Sequence, residues 1–413
     1  MNKILPNITK KISVMMISQS NAAGGAARAA SRLFTCLSNE RDINFLVANK
    51  KGSDPRISQL KFNKKLISRI LSRFDMFICN FIEPYNREWQ TAAYFGSISA
   101  RSINKSNYSI INLHWIGHGL ISLRQIKKID KPIVWTLHDE WMINAISHYP
   151  LSIEKTVIRN KLIIELVKRI KNNRVKLKKE IILKENVSLV CLNSEVAKKL
   201  KIQFPKKENI FTIANPVNLL EFFPENNQDI NFTFNHARYK PLVLFLGGRE
   251  DPRKGWDLLL KSLEVCKASF TLVVIASSND IEIDFNSKIK IVNLPRIEKL
   301  NELRVLYSLV DAVVVPSRVE GLPQTATESI SCGTPVIGFS IGGLIDIVKD
   351  GKTGFLAKPF SIEGLARAIE RTLNLNKKEV VSNCRKFALL NFEFKVVESK
   401  YEAIFKSLSC PPT

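Results

Sequence analysis

Several kinds of feature are scarce in this chain, and each scarcity excludes something. Its seven cysteines, at 36, 79, 191, 266, 332, 384 and 410, form no short-spaced pair. That argues against a disulfide framework or a zinc ribbon and fits a reducing cytosol. No apolar run approaches the roughly 18–20 residues needed to cross a bilayer. The early run from Ile12 to Ile17 is also too short and too polar-flanked for a signal peptide, so it reads as a first strand. There are five histidines, and none combines with a carboxylate at a metal-ligand spacing, so no metal and no other cofactor is expected. Acidic residues are scarce too: 38 Asp and Glu against 62 Lys and Arg leave a formal charge of +24.

That charge has three readings: nucleic-acid binding, a peripheral membrane enzyme, or basic residues solvating every face. No zinc finger and no RNP-like aromatic motif accompanies it, so no nucleic-acid partner is expected. The basic region 155–207 holds Lys168, Arg169, Lys171, Arg174, Lys176, Lys178, Lys179 and Lys184. Helical spacing would collect Ile163, Leu166, Ile170, Leu177 and Ile181 along one side and leave the lysines outward. This is a candidate helix for an anionic membrane surface, with a solvated face as the alternative.

At 413 residues the chain is too long for one ordinary core. Short apolar runs separated by helix-like spacing recur in both halves and suggest two α/β domains facing each other across a cleft. The boundaries read as 1–218, a linker at 219–240, a second domain at 241–390, and a helix at 391–413 packing back toward the first. Phe74, Phe77, Phe81, Trp89 and Tyr94 read as core or helix packing.

The most informative stretch is VPSRVEGLPQTATESISCGTPVIGFSIGG, 315–343. A buried strand, Ala312 to Pro316, leads to Glu320, then to the turn Gly321-Leu322-Pro323, and then to a helix from Thr325 to Ser331 that carries Glu328. The helix N-terminus offers backbone N–H groups to an anion. Two carboxylates with seven residues between them could each hold a polyhydroxyl group, with a diphosphate between. Those are the three parts of a nucleotide-sugar.

Upstream, the strand Leu242 to Leu246 runs into GGREDPRKG, where Arg249 and Lys254 could converge on a diphosphate, Arg as a fork and Lys as a point charge. Near the start, Gly24-Gly25 forms a loop between the first strand and a helix from Ala26 to Leu37, again open toward an anion; a plain tight turn is the alternative. His114 and His138 end the strands Tyr108 to Leu113 and Ile133 to Leu137, where open sheets place ligands. His138 is the better placed, because Asp139 follows it and a neutral imidazole can donate to a sugar oxygen. His118 and His148 lack such a setting.

With GGAARAASRL, WTLHDEW, LFLGGREDPRKGWDLLL and VPSRVEGLPQTATESISCGTPVIGFSIGGLIDIVKDGKTGFL, the chain resembles retaining glycosyltransferases of family 4, and more narrowly those of bacterial surface-polysaccharide assembly. The resemblance implies an α/β fold of the GT-B class, two Rossmann-like domains facing across a donor-binding cleft. The first would lie on the acceptor side and the second would bind a UDP- or GDP-sugar. It implies that Glu320 binds hydroxyls of the transferred sugar and Glu328 the ribose. It assigns Arg249 and Lys254 to the diphosphate, Gly24 and Gly25 to close backbone approach, and His138 to the reacting sugar. The N–H groups of Gly321, Leu322 and Gln324 would complete the phosphate cradle.

No metal is implied. Retention of configuration is, with a glycan or lipid-linked acceptor met in the cytoplasm or at the inner membrane face. Relatives sharing the HDxW segment often follow it with a glycine, cysteine and histidine cluster; this chain reads MINAISHYPLS instead. A non-catalytic scaffold of the same fold is the competing reading.

Overall fold

The computed structural model describes residues 12–38, 41–84, 90–149, 160–225, 241–275, 283–285 and 288–409. The expected linker stretch 226–240, Trp89 and Cys410 lie outside these residues. Chain contacts divide the protein into two compact units. The first comprises 1–191, 199–211 and 398–413, and the second 192–198 and 212–397.

The first unit is built on β1 (Ser13–Ser20), β2 (Asp42–Asn49), β3 (Ile57–Gln59), β4 (Ile110–Leu113), β5 (Ile133–Leu137), β6 (Val187–Cys191) and β7 (Ile210–Thr212). They form one sheet in the order β3-β2-β1-β4-β5-β6-β7. Their helices are α1 (Gly24–Leu37), α2 (Phe62–Ile82), α3 (Ala100–Asn104), α4 (Leu123–Lys127), α5 (Lys161–Ile182) and α6 (Ser194–Gln203), the last running across the division between units. β4, β5 and β6 are buried along their whole length, as strands covered on both faces must be.

The second unit holds β8 (Leu242–Phe245), β9 (Phe270–Ile275), β10 (Ile283–Asp284), β11 (Ile289–Leu294), β12 (Ala312–Val315), β13 (Val336–Phe339) and β14 (Gly354–Ala357), in the order β10-β11-β9-β8-β12-β13-β14. Only β10 runs antiparallel to its neighbour among the described pairs. The helices are α7 (Trp256–Val265), α8 (Leu300–Leu309), α9 (Gln324–Ser331), α10 (Leu344–Ile347), α11 (Ile362–Leu373) and α12 (Lys377–Asn391), and α13 (Phe394–Ser409) runs across the division so that most of it belongs to the first unit. Alternation along each strand divides the core in two. Leu244, Val313 and Val315 point into one cluster with α9 and α12, while Val243, Val314 and Ile337 point into another with α7 and α11.

Four expectations are corrected. Gly24 and Gly25 open the first turn of α1 instead of forming a loop before it. The aromatic residues of α2 are not core: Phe74 is 56% and Phe77 72% exposed, whereas Ser68, Asp75, Cys79 and Ile82 make its buried face. In α5 the expected pattern holds only in part: Ile181 is buried and Lys168, Arg169, Lys176 and Lys179 are exposed, but Arg174 and Lys178 are buried while Ile163 and Leu166 are exposed. The stem of each buried cation is covered, and its head finds partners indoors. Lys178 Nζ donates to the carbonyls of Trp141 (2.5 Å), Asn144 (2.8 Å) and Ala145 (3.1 Å), and lies 3.7 Å from the Trp141 ring centroid. Arg174 stacks 3.6 Å over Tyr94. Finally, His148, which lacked a carboxylate setting in the sequence, pairs with Asp139.

The six described cysteines are all free and buried. No helix among the described residues is long and apolar enough to cross a membrane.

Candidate active site

In the second unit the strand order reverses between β8 and β12. The crevice outside the carboxyl ends of the strands at such a point is where open α/β sheets bind ligands. Two loops leave the sheet there and are locked together. Arg318 N–H donates to the Arg253 carbonyl at 2.7 Å, and its guanidinium grips Asp257 through two bonds of 2.7 and 2.6 Å and the Pro252 carbonyl at 2.8 Å. Gly255 adopts φ +67, and a Cβ there would lie 1.9 Å from the Pro316 carbonyl oxygen. Only glycine permits that approach.

The locked loops bring Lys254 onto Glu320. Lys254 Nζ lies 2.5 Å from Glu320 Oε1, which also accepts a 2.9 Å bond from Ser317 Oγ. The other oxygen, Oε2, has no partner among the described residues. Behind Glu320, Gly342 (φ +48) comes so close that a Cβ would stand 1.9 Å from the Glu320 carbonyl oxygen. The Gly321 carbonyl is fixed by Gly343 N–H and Asn193 Nδ2, each at 2.8 Å.

Beyond it, α9 begins at Gln324 with no side-chain cap and no acidic residue in its first turn. The N–H groups of Gly321 and Leu322 donate no hydrogen bond among the described residues. A helix end of this kind, next to Lys254, attracts an anion.

Arg249 leaves β8 on the same loop. Its guanidinium bonds Asn293 Oδ1, at the end of β11, and packs 4.9 Å over Trp256, while its Nε is buried without a partner among the described residues. Glu328 is only 5% exposed, and its Oε2 accepts a 3.0 Å bond from the Tyr307 hydroxyl of α8. Asn293, Tyr307 and Ser317 escaped sequence reading, because none carries a motif of its own. The structure therefore brings Lys254 and Glu320 into contact and places Arg249 on the same loop as Lys254.

In the first unit the order reverses between β1 and β4, and Gly24 and Gly25 follow β1 at the start of α1. Both are exposed, and a Cβ on either would meet nothing within 4 Å. The end of β1 is braced by Ser20, whose Oγ accepts from the N–H groups of Ala22 and Ala23. His114, after β4, is buried, with Nδ1 2.9 Å from His138 Nε2 and Nε2 2.9 Å from Asn112 Oδ1. Burial pushes His138 down to about 4 and drives His114 well below the usual histidine range, with the neighbouring imidazole adding to it.

Next to them, Asp139 Oδ2 meets His148 Nδ1 at 2.6 Å, and His148 Nε2 meets Thr91 Oγ1 at 2.9 Å. Burial raises the Asp139 carboxyl, but the charge and hydrogen bond of His148 outweigh it and hold the group below its ordinary value. His114, His138, Asp139 and His148, with Trp115 and Trp141, line a cavity of about 20 Å³. That is room for a single water. His148 belongs to the MINAISHYPLS segment, so this chain supplies a histidine there by its own route.

Residues 227–388 match the family model described as glycosyl transferases group 1. The D-inositol 3-phosphate glycosyltransferase of Mycobacteroides abscessus is 30% identical over 172 residues, covering 39% of this chain and 38% of that protein. The lipopolysaccharide 1,2-N-acetylglucosaminetransferase of Salmonella typhimurium is 27% identical over 183 residues, covering 40% of this chain and 48% of that protein. The chain thus spans about two fifths to one half the length of these curated relatives. Among solved structures, the sucrose-phosphate synthase of Thermosynechococcus elongatus superposes with a TM-score of 0.69 at 18% identity, covering 97% of this chain and 99% of its own. That likeness establishes the fold, two Rossmann-like units of the GT-B class. Residues 227–388 are the part of the chain that carries the glycosyl transferases group 1 match.

Proposed function

We propose that the protein is a retaining glycosyltransferase that moves a sugar from a UDP- or GDP-sugar to a glycan or lipid-linked acceptor of surface-polysaccharide biosynthesis. The observation that carries this reading is the Lys254–Glu320 contact at 2.5 Å beside the uncapped start of α9, at the strand-order reversal of a group 1 domain. A diphosphate at that helix end would meet the Gly321 and Leu322 N–H groups and the Lys254 ammonium, with Arg249 on the same loop. Glu320 Oε2 would accept from sugar hydroxyls, and Glu328, held by Tyr307, would take the ribose. The name of the Salmonella relative favours a polysaccharide acceptor.

Cleaving the bond between the anomeric carbon and phosphate develops positive charge on the sugar and negative charge on the leaving diphosphate. Fixed cations and helix-end amides then stabilise the transition state more than the ground state. In this reading Arg249 and Lys254 neutralise the diphosphate, and no metal is required. His138 stands beside the sugar, and the departing phosphate takes the acceptor proton. Thermal shift and turnover with UDP, GDP and their sugars test the proposal. Sugar transfer unchanged in both Lys254→Ala and Glu320→Ala would overturn it.

We infer further that the first unit meets an anionic bilayer, with α2 as well as the basic 155–207 region as the contact. Phe62, Leu66, Ile70, Phe74 and Phe77 recur along the exposed side of α2, opposite its buried face. Lys65, Arg69 and Arg73 follow the same period on one flank. Leu162, Ile163, Ile164 and Leu166 of α5 are exposed as well, among Lys161, Lys168 and Arg169. An apolar stripe flanked by cations suits the interface of an anionic membrane.

A further inference from the structure

Asn112, His114 and His138 stand in one hydrogen-bonded line, and its direction follows from its far end. Asn112 is fully buried in β4, and its Nδ2 lies 2.8 Å from the Val134 carbonyl on the neighbouring strand β5. A carbonyl can only accept, so the amide nitrogen must face Val134 and Oδ1 must face His114. The same nitrogen reaches Thr136 Oγ1 at 3.3 Å, and that hydroxyl is itself within 3.0 Å of the Tyr401 hydroxyl.

Oδ1 can only accept, which places the His114 proton on Nε2 (2.9 Å). A neutral His114 then has a bare Nδ1, which must accept from His138 Nε2–H (2.9 Å). The His138 proton is thereby committed to Nε2. His114 is further held by its own backbone carbonyl, which accepts from Trp135 Nε1 at 3.2 Å.

We propose that Asn112 and His114 are positioning residues that lock His138 as its Nε2–H tautomer, so that His138 presents an Nδ1 lone pair that accepts a hydrogen bond from a substrate hydroxyl. His138 Nδ1 has no partner among the described residues. This reverses the polarity expected from the sequence, in which a neutral His138 donates to a sugar oxygen. A lone pair welcomes an O–H and repels a phosphate oxygen, so the locked ring sorts the two ends of a nucleotide-sugar. Burial, which pushes His138 down to about 4, keeps the ring neutral at pH 7 and the lone pair available. The choice of a hydroxyl as partner rests on the glycosyltransferase reading; the tautomer does not.

The test is long-range proton–nitrogen NMR of the full-length protein labelled at its histidine ring nitrogens, at pH 7 and without substrate. The wild type is expected to show His138 protonated at Nε2 and bare at Nδ1. Asn112→Leu, which keeps the branched shape without the polar atoms, and His114→Phe each release the lock, and the His138 nitrogens should move toward a mixture of tautomers. In turnover, either variant should lower kcat about 10- to 100-fold, the scale of one misplaced hydrogen-bond partner, with nucleotide affinity changed by less than about twofold.

An Nδ1–H tautomer in the wild type would overturn the proposal. So would an unchanged His138 signature in whichever variant keeps the native spectrum elsewhere. A locked tautomer that is released as expected, in a protein with no turnover on any nucleotide-sugar, would uphold the lock and count against the glycosyltransferase reading alone.

Discussion

Lys254 Nζ and Glu320 Oε1 lie 2.5 Å apart although 66 residues separate them in the chain, because Gly255 lets its loop touch the backbone at Pro316, while Gly342 of a third loop backs Glu320. Each partner serves the other, so in the proposed reading a nucleotide-sugar would meet Lys254 and Glu320 as an ion pair. Replacing Lys254 by alanine should lower kcat for sugar transfer by about 10²–10³, the range for one lost electrostatic contact to a developing anion. Glu320→Gln keeps the size of the side chain and should weaken transfer while leaving nucleotide affinity nearly intact. Steady-state kinetics beside calorimetric titration with UDP and GDP separate the two effects.

The glycine contacts give a second prediction. Gly342→Ala introduces a Cβ where the Glu320 carbonyl stands, at φ +48. It should cost more than about 1 kcal/mol of stability and reduce turnover without altering any polar side chain. A thermal melt together with an assay decides it, and an alanine variant with unchanged melting and unchanged rate would refute the close packing.

If Arg249 and Lys254 neutralise the leaving diphosphate, initial rates should be unchanged by EDTA and by added magnesium or manganese. A metal-dependent rate, restored in proportion to added ion, would assign part of that neutralisation to a cation held by the substrate.

Acid should loosen the first unit through its histidines. His114, His118 and His138 are all held below their ordinary value by burial, His118 and His138 at about 4. The unfolded chain takes up protons near pH 6.5, whereas the folded chain resists until lower pH. Their contribution is therefore full above about pH 6.5, falls as the pH drops below it, and is gone below the folded values. Asp75, pushed up to about 6 by burial, works the other way. His118→Asn isolates one histidine, since asparagine tolerates its φ of +53. The variant should lose less melting temperature than the wild type between pH 7 and pH 4.5.

Co-sedimentation with vesicles tests the apolar stripe of α2. Phe74→Glu with Phe77→Glu should release the protein from anionic vesicles and leave its circular dichroism unchanged, because both side chains are exposed. Equal partitioning to neutral and anionic vesicles, in wild type and variant alike, would remove the membrane assignment.

The strands of both sheets were legible in the sequence wherever β-branched runs end at glycine or a charged turn, as in Ala312–Val315 and Ile133–Leu137. The residues of the candidate site were legible too, because Lys254, Glu320 and Glu328 belong to contiguous stretches. What periodicity does not carry is which face turns inward. In α2 the inward face holds Ser68 and Asp75 beside Cys79 and Ile82, and in α5 it holds Arg174 and Lys178 beside Ile181, so the aromatic stripe of α2 and the first turns of the expected α5 stripe are outer ones. α12 was missed although Asn376 and Glu379 spell its cap, with Asn376 Oδ1 accepting from the Glu379 N–H at 3.2 Å. The Asn112–His114–His138 line was beyond sequence reading for another reason: it runs across strands, from β4 to the end of β5, and strand register has no local signature.

One feature of the fold bears on how the molecule is made. Tyr401 is buried, with its hydroxyl at Thr136, and Phe405 is fully buried as well, yet both belong to the unit whose strands lie between residues 13 and 212. During synthesis that sheet emerges roughly 10–40 s before the segment that seals it, given ordinary elongation rates of about 5–20 residues per second. The second unit is complete in the interval. The first must wait, with an open seam beside Thr136, until residues 398–409 return to it, so its core closes only after the whole of the second unit has been made.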